Sequence, residues 1–538
     1  VVPQKFKAFV PYRGTEAFFY CIFLKKQIIP NPQIMKERSS SHQLMKKEKE
    51  NMKPDYEQIY PMAKEFSVIP VYKELNADVI TPILLLQKFA TISERYYLLE
   101  SVEGGEKWGR YSFLGYNPKI RVTCKEKLVT IEQGNGTVSR QSETPFEILR
   151  DILKEYRSPK IDGMPPFTGG FVGYFSYSMI GYAEPKLKIK GGEFNDFDLM
   201  LFDKIIVFDH LKQKLFIIVN IKTDDLERNY KDAVDDINHI TKLIKTELPK
   251  SIPETFCDKV EFQCNVSKEE YRNIIEKTKA YIRDGDVFQA VISRQFTTTY
   301  KNNLINAYRV LRTTNPSPYM VYMKIDGDEI MSTSPETLVR LQNGRLTTFP
   351  VAGSRPRGET QEEDEKLENE LLADEKELSE HNMLVDLGRN DLGRISKFNS
   401  VEVTRYKMVH KYSKIMHICS QVESDILSNC DSLSAIESVL PAGTLSGAPK
   451  IRACEIIDEL EKAPRGIYGG ALGYLDFTGN MDTCIAIRMA VKRNNKVYIQ
   501  AGGGIVADSE SEKEYEESEN KALAVMNAIK NAGEVENG

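Results

Sequence analysis

Lys496-Val497-Tyr498-Ile499-Gln500-Ala501-Gly502-Gly503-Gly504-Ile505-Val506-Ala507-Asp508, followed shortly by Glu514-Tyr515-Glu516-Glu517-Ser518-Glu519-Asn520-Lys521, is the stretch that decides the architecture. Lys496 to Gln500 reads as a strand, and the second part reads as a helix. Positions 514, 517 and 521 continue at helical spacing to Val525 and Ala528, which places two carboxylates and an ammonium on the core-facing stripe. Burying unpaired carboxylates costs several kcal/mol each, so a cation is expected among them. Between strand and helix, Gly502, Gly503 and Gly504 allow backbone N–H groups to converge on an anion near a helix start, although a Gly run alone also reads as a flexible turn.

A second stretch repeats the anomaly. In Glu377-Leu378-Ser379-Glu380-His381-Asn382-Met383-Leu384-Val385-Asp386-Leu387, Glu377 and Glu380 lead along one helical stripe to Leu384 and Leu387. A solvated charged face is the ordinary meaning of such a run; two separate i, i+3 Glu pairs joined to apolar stripes favour a site. Oxygen ligands without His or Cys at ligand spacing suit Mg²⁺, which binds through one or two carboxylates and leaves room for water and substrate oxygens. Arg488, ending the apolar run Cys484-Ile485-Ala486-Ile487, and Tyr468, in Gly466-Ile467-Tyr468-Gly469-Gly470, complete a candidate carboxylate clamp with Lys521.

Outward from these motifs the pattern is mixed α+β without a fixed repeat. Strand-like runs include Tyr96 to Ser101, Lys204 to Phe208, Leu215 to Val219 and Tyr319 to Ile325; helical stretches include Asp224 to Leu248 and Lys268 to Ile282. Glycines in Gly169 to Phe175 mark close backbone packing. A soft boundary falls near Pro249, dividing 52–250 from 251–538, while 1–51 reads as an unstructured or non-native extension. The 538 residues carry 73 Lys plus Arg against 78 Asp plus Glu, a net charge of -5 that gives no reason to expect nucleic acid as a partner. The 8 Cys are scattered singletons, which suggests a reduced, cytoplasmic setting, and no apolar run reaches the ~20 residues of a membrane span.

Pro441-Ala442-Gly443-Thr444-Leu445-Ser446-Gly447-Ala448-Pro449-Lys450, the Glu377 to His381 run, His381 to Arg394 and Gly502 to Ser509 together resemble the chorismate-utilising enzymes over about 60 to 530. The resemblance implies their fold: antiparallel β-sheets enclosed by helices, with a central cleft for chorismate bridged to Mg²⁺. It further implies Glu380 and Glu517 as Mg²⁺ ligands, Glu514 beside them and Glu377 as a supporting acid. Tyr468, Arg488, Gly502, Gly503, Gly504 and Lys521 would hold substrate carboxylates, Gly353 and Ser354 would line the pocket, and His417 and Thr444 would lie near the ring. On its own, His417 reads as a core histidine.

Within the family, water-activating members resemble one another in carrying a Lys where this chain has Gln289, and Gln cannot act as a general base. Pro350-Val351-Ala352-Gly353-Ser354 offers no amine nucleophile at Ala352, which disfavours aminodeoxychorismate synthesis, the runner-up activity. Ammonia then remains as the nucleophile, giving anthranilate. No Cys lies in a Gly-x-Cys-x-Gly elbow, so glutamine-derived ammonia must come from a separate amidotransferase subunit. Departures from the family pattern are Val351, Ser354 and Ser511. Leu98-Leu99-Glu100-Ser101 and Asn315-Pro316-Ser317-Pro318-Tyr319-Met320 resemble its tryptophan-inhibitor motifs, implying Glu100, Ser101, Pro318, Tyr319 and Met320 as inhibitor contacts. A catalytically silent tryptophan-binding regulator is the alternative from another class.

Overall fold

The computed structural model describes residues 52–78, 80–101, 109–247, 260–412 and 415–535; the extension 1–51 lies outside them. Two 12-stranded sheets, antiparallel throughout their described pairings, stack face to face. The first runs from Val68–Asn76 through Arg95–Glu100, Tyr319–Ile325 and Asp328–Ser334 to Lys496–Ile505 and Gln289–Thr299. The second runs from Val351–Pro356 and Ile415–Asp425 through Thr337–Gln342, Met481–Ile485 and Ala471–Asp476 to Gly136–Gln141. Each sheet takes strands from both sides of residue 250.

Strands such as Phe197–Phe202 and Gly170–Phe175 are buried on both faces, which is why their sequences are continuously apolar rather than alternating. Tyr97, Val321, Val172, Tyr174 and Leu472 fill the space between the sheets. Leu226–Lys245, Ile305–Thr314 and Ser511–Lys530 cover the outer face of the first sheet. Pro145–Lys154, Glu375–Gly393 and Ser432–Val439 cover that of the second. The close backbone packing expected at Gly169 to Phe175 is present: a Cβ on Gly170 would stand 2.0 Å from Leu475 O, and one on Gly173 would stand 2.0 Å from Asp198 O.

The helix Glu375–Gly393 begins where Asp374 caps it, accepting from the amides of Lys376 at 3.1 Å and Glu377 at 3.2 Å. That cap holds Glu377 and Glu380 in the first two turns, beside the strand Val351–Pro356. Among the described residues no helix is long and apolar enough to cross a membrane.

Candidate active site

The site forms where the chain passes between the sheets. Asp328–Ser334 belongs to the first sheet and Thr337–Gln342 to the second, so Pro335 and Glu336 make one crossing. Met481–Ile485 and Met489–Arg493 make the other through Ala486, Ile487 and Arg488. The crossings are stitched together: Ile485 N donates to Glu336 O at 3.0 Å, and Thr333 N donates to Arg488 O at 3.0 Å. Residues at such crossings leave the strand ladder, so their side chains reach the gap at the sheets' edge. Arg488 adopts φ 48°, a left-handed conformation unusual for a bulky residue. Its guanidinium makes no ion pair or hydrogen bond among the described residues, and burial lowers its pKa. A half-buried guanidinium with no ion-pair partner is poised for an anion.

Glu336 is the functional residue that sequence reasoning missed. Thr444 Oγ1 donates to its Oε1 at 3.1 Å, and burial pushes its carboxyl pKa up to about 8, with Thr444 and the more distant Lys521 opposing. Its surroundings therefore favour the neutral acid. The available signal was a lone acid after Pro335, in a two-residue gap between the apolar strands. His417 lies in the strand Ile415–Asp425 opposite Ser354, which is itself exposed. A bulge with Gly353 at φ 69° turns the Gly353 carbonyl toward the imidazole, and Nδ1–H donates to it at 3.0 Å. This bond selects the Nδ1–H tautomer and leaves Nε2 as the free lone pair. Burial lowers the His417 pKa, the Gly353 carbonyl raises it and Arg488 lowers it further, so the ring is neutral near pH 7.

The glycine run is not a turn: the strand extends through it from Lys496 to Ile505. Gly502, Gly503 and Gly504 pair with Ser293, Ile292 and Val291, and each is glycine because something lies directly over it. A Cβ on Gly502 would meet Ile292 O at 2.2 Å, one on Gly503 would meet Glu514 Oε2 at 2.8 Å and Glu517 Oε1 at 3.7 Å, and one on Gly504 would meet Gln289 Nε2 at 2.1 Å. Pairing with Met489–Arg493 stops at Ile499, so the far edge of Gln500–Ile505 has no strand neighbour among the described residues. An open strand edge replaces the expected helix-start turn as the source of backbone donors.

The acidic helices face each other across this edge. Glu514 is buried and accepts from Ser509 Oγ at 2.8 Å. Gln289 Nε2 donates to Glu380 Oε1 at 3.5 Å, and Glu377 Oε2 lies 3.1 Å from where a Cβ of Gly353 would be. The inward stripe needs one correction: the buried line of Ser511–Lys530 is Glu514, Ser518, Ala522 and Val525, whereas the Glu517 side chain is 52% exposed. Glu517 opens onto the cleft and pairs with Lys521 at 2.7 Å, while Lys521 Nζ also donates to Gly502 O at 3.1 Å. The helix is anchored from below by the fully buried Arg294, whose Nε donates to Ser518 Oγ at 2.9 Å and whose Nη2 donates to Tyr515 O at 2.8 Å.

Burial raises the pKa of Glu377, Glu380 and Glu514, and repulsion from neighbouring carboxylates raises each further. Glu380, Glu514 and Glu517 thus gather near Lys521, itself already paired with Glu517, and Glu377 lies beside Glu380. This imbalance suits a divalent cation. Among the described residues no group of three or more acids, His or Cys could by itself hold a metal ion, so any ion here would take one or two carboxylates.

Glu100, Ser101, Pro318, Tyr319 and Met320 all line a separate cavity of about 490 Å³, together with Arg340, Tyr474 and Asp482. The expectation that the Glu100 carboxylate faces a ligand is corrected. It points behind its strand, accepting from Arg312 Nε at 2.7 Å and Tyr308 OH at 2.7 Å. Met320, paired with Glu100 across the strands, is likewise buried in the core behind the cavity. Strand alternation, with period two, sends these two side chains away from the face that Leu99 and Val321 present.

The chorismate binding enzyme family matches residues 95–527 of the chain. Anthranilate synthase component 1 of Acetivibrio thermocellus is 46% identical over 491 residues, covering 90% of this chain and 99% of that protein. Its counterpart in Aquifex aeolicus is 41% identical over 489 residues, with 90% and 99% covered. The crystal structure of anthranilate synthase component I from Streptococcus pneumoniae superposes with a TM-score of 0.70 at 34% identity, covering 84% of this chain and 98% of that one. The chain therefore belongs to the family of chorismate-binding enzymes and, within it, to the group formed by anthranilate synthase component 1.

Proposed function

We propose that the chain converts chorismate and ammonia to anthranilate, pyruvate and water. The observation that carries this reading is that the two hydrogen-bonded crossings bring together Glu336, bonded to Thr444, and Arg488, whose guanidinium has no ion-pair partner among the described residues. Arg488, the Tyr468 hydroxyl and the open edge at Gly502 to Gly504 bind substrate carboxylate. Glu380 and Glu517, with Glu514 and Glu377 supporting, would hold Mg²⁺, which when bound would offset negative charge on the substrate. Gln289 Oε1 is buried without a hydrogen-bond partner, leaving it free to accept an N–H of the entering ammonia. As the ring C–N bond forms, the ring hydroxyl departs with the Glu336 proton as water. His417 Nε2 then takes the ring proton while the C–O bond to the enolpyruvyl group breaks; the ring becomes aromatic, the departing enolate takes that proton at its methylene carbon to become pyruvate, and the proton lost by the new ring ammonium restores the Glu336 acid.

Two partners complete the reading. A glutamine amidotransferase subunit supplies ammonia, since this chain lacks the cysteine elbow. Tryptophan occupies the cavity beside Ser101 and Pro318 and acts as a feedback inhibitor. The six described cysteines are free thiols, in keeping with a cytoplasmic enzyme. Incubating the purified chain with chorismate, Mg²⁺ and an ammonium salt tests the central claim. Fluorescent anthranilate is the expected product, and its absence at saturating concentrations would overturn the assignment.

A further inference from the structure

Behind the substrate-facing residues lies a buried ion pair that the reaction itself does not use. The side chains of Arg465 and Glu461 are 2% and 5% exposed, and they join through Nε–Oε2 at 2.9 Å and Nη2–Oε1 at 2.7 Å. Such a pair is a weak source of stability, because desolvation offsets most of its attraction. Its remaining bonds all end on segments that form the site. Arg465 Nη1 donates to Leu445 O, next to Thr444, and Nη2 donates to Val291 O at 2.6 Å, two residues beyond Gln289. The guanidinium lies 5.8 Å from the Tyr468 ring centroid and 4.5 Å from that of Tyr177.

Glu461 fixes the other half. It accepts from Ser293 N at 2.7 Å and Ser293 Oγ at 2.8 Å, and Ser293 pairs directly with Gly502. Gln500 Nε2 donates to the same hydroxyl at 2.8 Å. One rigid fork thus ties the turn bearing Thr444, the strand bearing Gln289, the open edge at Gly502 and the ring of Tyr468. A planar guanidinium can hold two carbonyls and a carboxylate at once, whereas an ammonium cannot reproduce the fork.

We propose that Arg465, oriented by Glu461, is a positioning residue that sets the Tyr468 hydroxyl against the open strand edge where substrate carboxylate binds. This rests on the substrate site described above. A double-mutant cycle on the chorismate KM tests it, using Arg465→Lys, Tyr468→Phe and the double variant, with thermal unfolding followed in parallel. Each single change is expected to raise KM about tenfold with a smaller effect on kcat, and the double variant to be no worse than the poorer single one. Independent effects that multiply would overturn the positioning role while leaving the substrate site intact. An unchanged KM in Tyr468→Phe alone would instead refute the site, and with it anything for Arg465 to position. Glu461→Gln, which keeps the shape of the pair but removes its charge, runs the same cycle if Arg465→Lys does not fold. Failure of both to fold would mark the pair as purely structural and overturn the proposal.

Discussion

At the scale of single residues, function is set by charges whose ordinary partners are withheld. Among the described residues the Glu336 carboxyl bonds to a hydroxyl and has no ion pair, so burial favours its protonated form. With a folded pKa of about 8 against an ordinary 4.5, the fold keeps a proton that the unfolded chain releases, so its contribution to stability falls as pH rises across that window. Glu336→Gln removes this dependence. The variant's melting temperature is expected to gain on the parent's from about pH 5 to about pH 8, while turnover drops about 10²- to 10⁴-fold, as for loss of a general acid. A pH-independent difference in melting would contradict the raised pKa. The carboxylates proposed to hold Mg²⁺ act differently. Glu380→Gln or Glu517→Gln is expected to abolish turnover with an unchanged circular dichroism spectrum, and near-normal rates at saturating Mg²⁺ would sink the metal assignment. Gly504→Ala places a methyl 2.1 Å from the Gln289 amide, so it should displace that side chain and depress the ammonia-dependent rate; parental kinetics would show that the amide position does not matter.

Among elements, the informative pair is the strand Arg95–Glu100 with its neighbour Tyr319–Ile325. One face of this pair lines the cavity, while the other contacts the helix Ile305–Thr314 through Glu100, Arg312 and Tyr308. That helix packs against Ser511–Lys530, which bears Glu514, Glu517 and Lys521. A ligand that shifts the strands therefore has a packed route to the carboxylates. Ser101→Phe, at the cavity wall, and Met320→Thr, in the core behind it, should each raise the tryptophan concentration for half-inhibition about tenfold or more. Inhibition curves that overlay the parent's would put the regulatory site elsewhere. Tryptophan and chorismate should also weaken each other's binding by the same factor, which titration calorimetry in both orders can measure.

For the whole molecule, the two stacked sheets enclose one site at the crossings and a second cavity between strands, with both halves of the chain in each sheet. The proposed separation of ammonia production from ammonia use makes its own prediction. The purified protein should form anthranilate from ammonium salts and none from glutamine until a glutaminase subunit is added. Glutamine-dependent product from the rigorously purified chain alone would refute the partner assignment.

Local pattern and chemistry determined a great deal from the sequence alone. The apolar strand run of Tyr319 to Ile325, the helical stripe of Glu377 to Leu387 and the acids interrupting it needed only local pattern to be read, because such patterns are a property of neighbours along the chain. The same spacing misassigned Glu517, which opens onto the cleft, and ended a strand too early at the glycines, because a Gly run has the same local signature in a turn and beneath a crowded carboxylate. Glu336 and Arg488 were beyond local rules in another way. One is shifted towards its neutral form and the other left without an ion pair because strands far apart in sequence, Asp328–Ser334 and Met489–Arg493, lie side by side and half-bury both crossings. Desolvation depends on what surrounds a group in space, and that was decided by the tertiary structure.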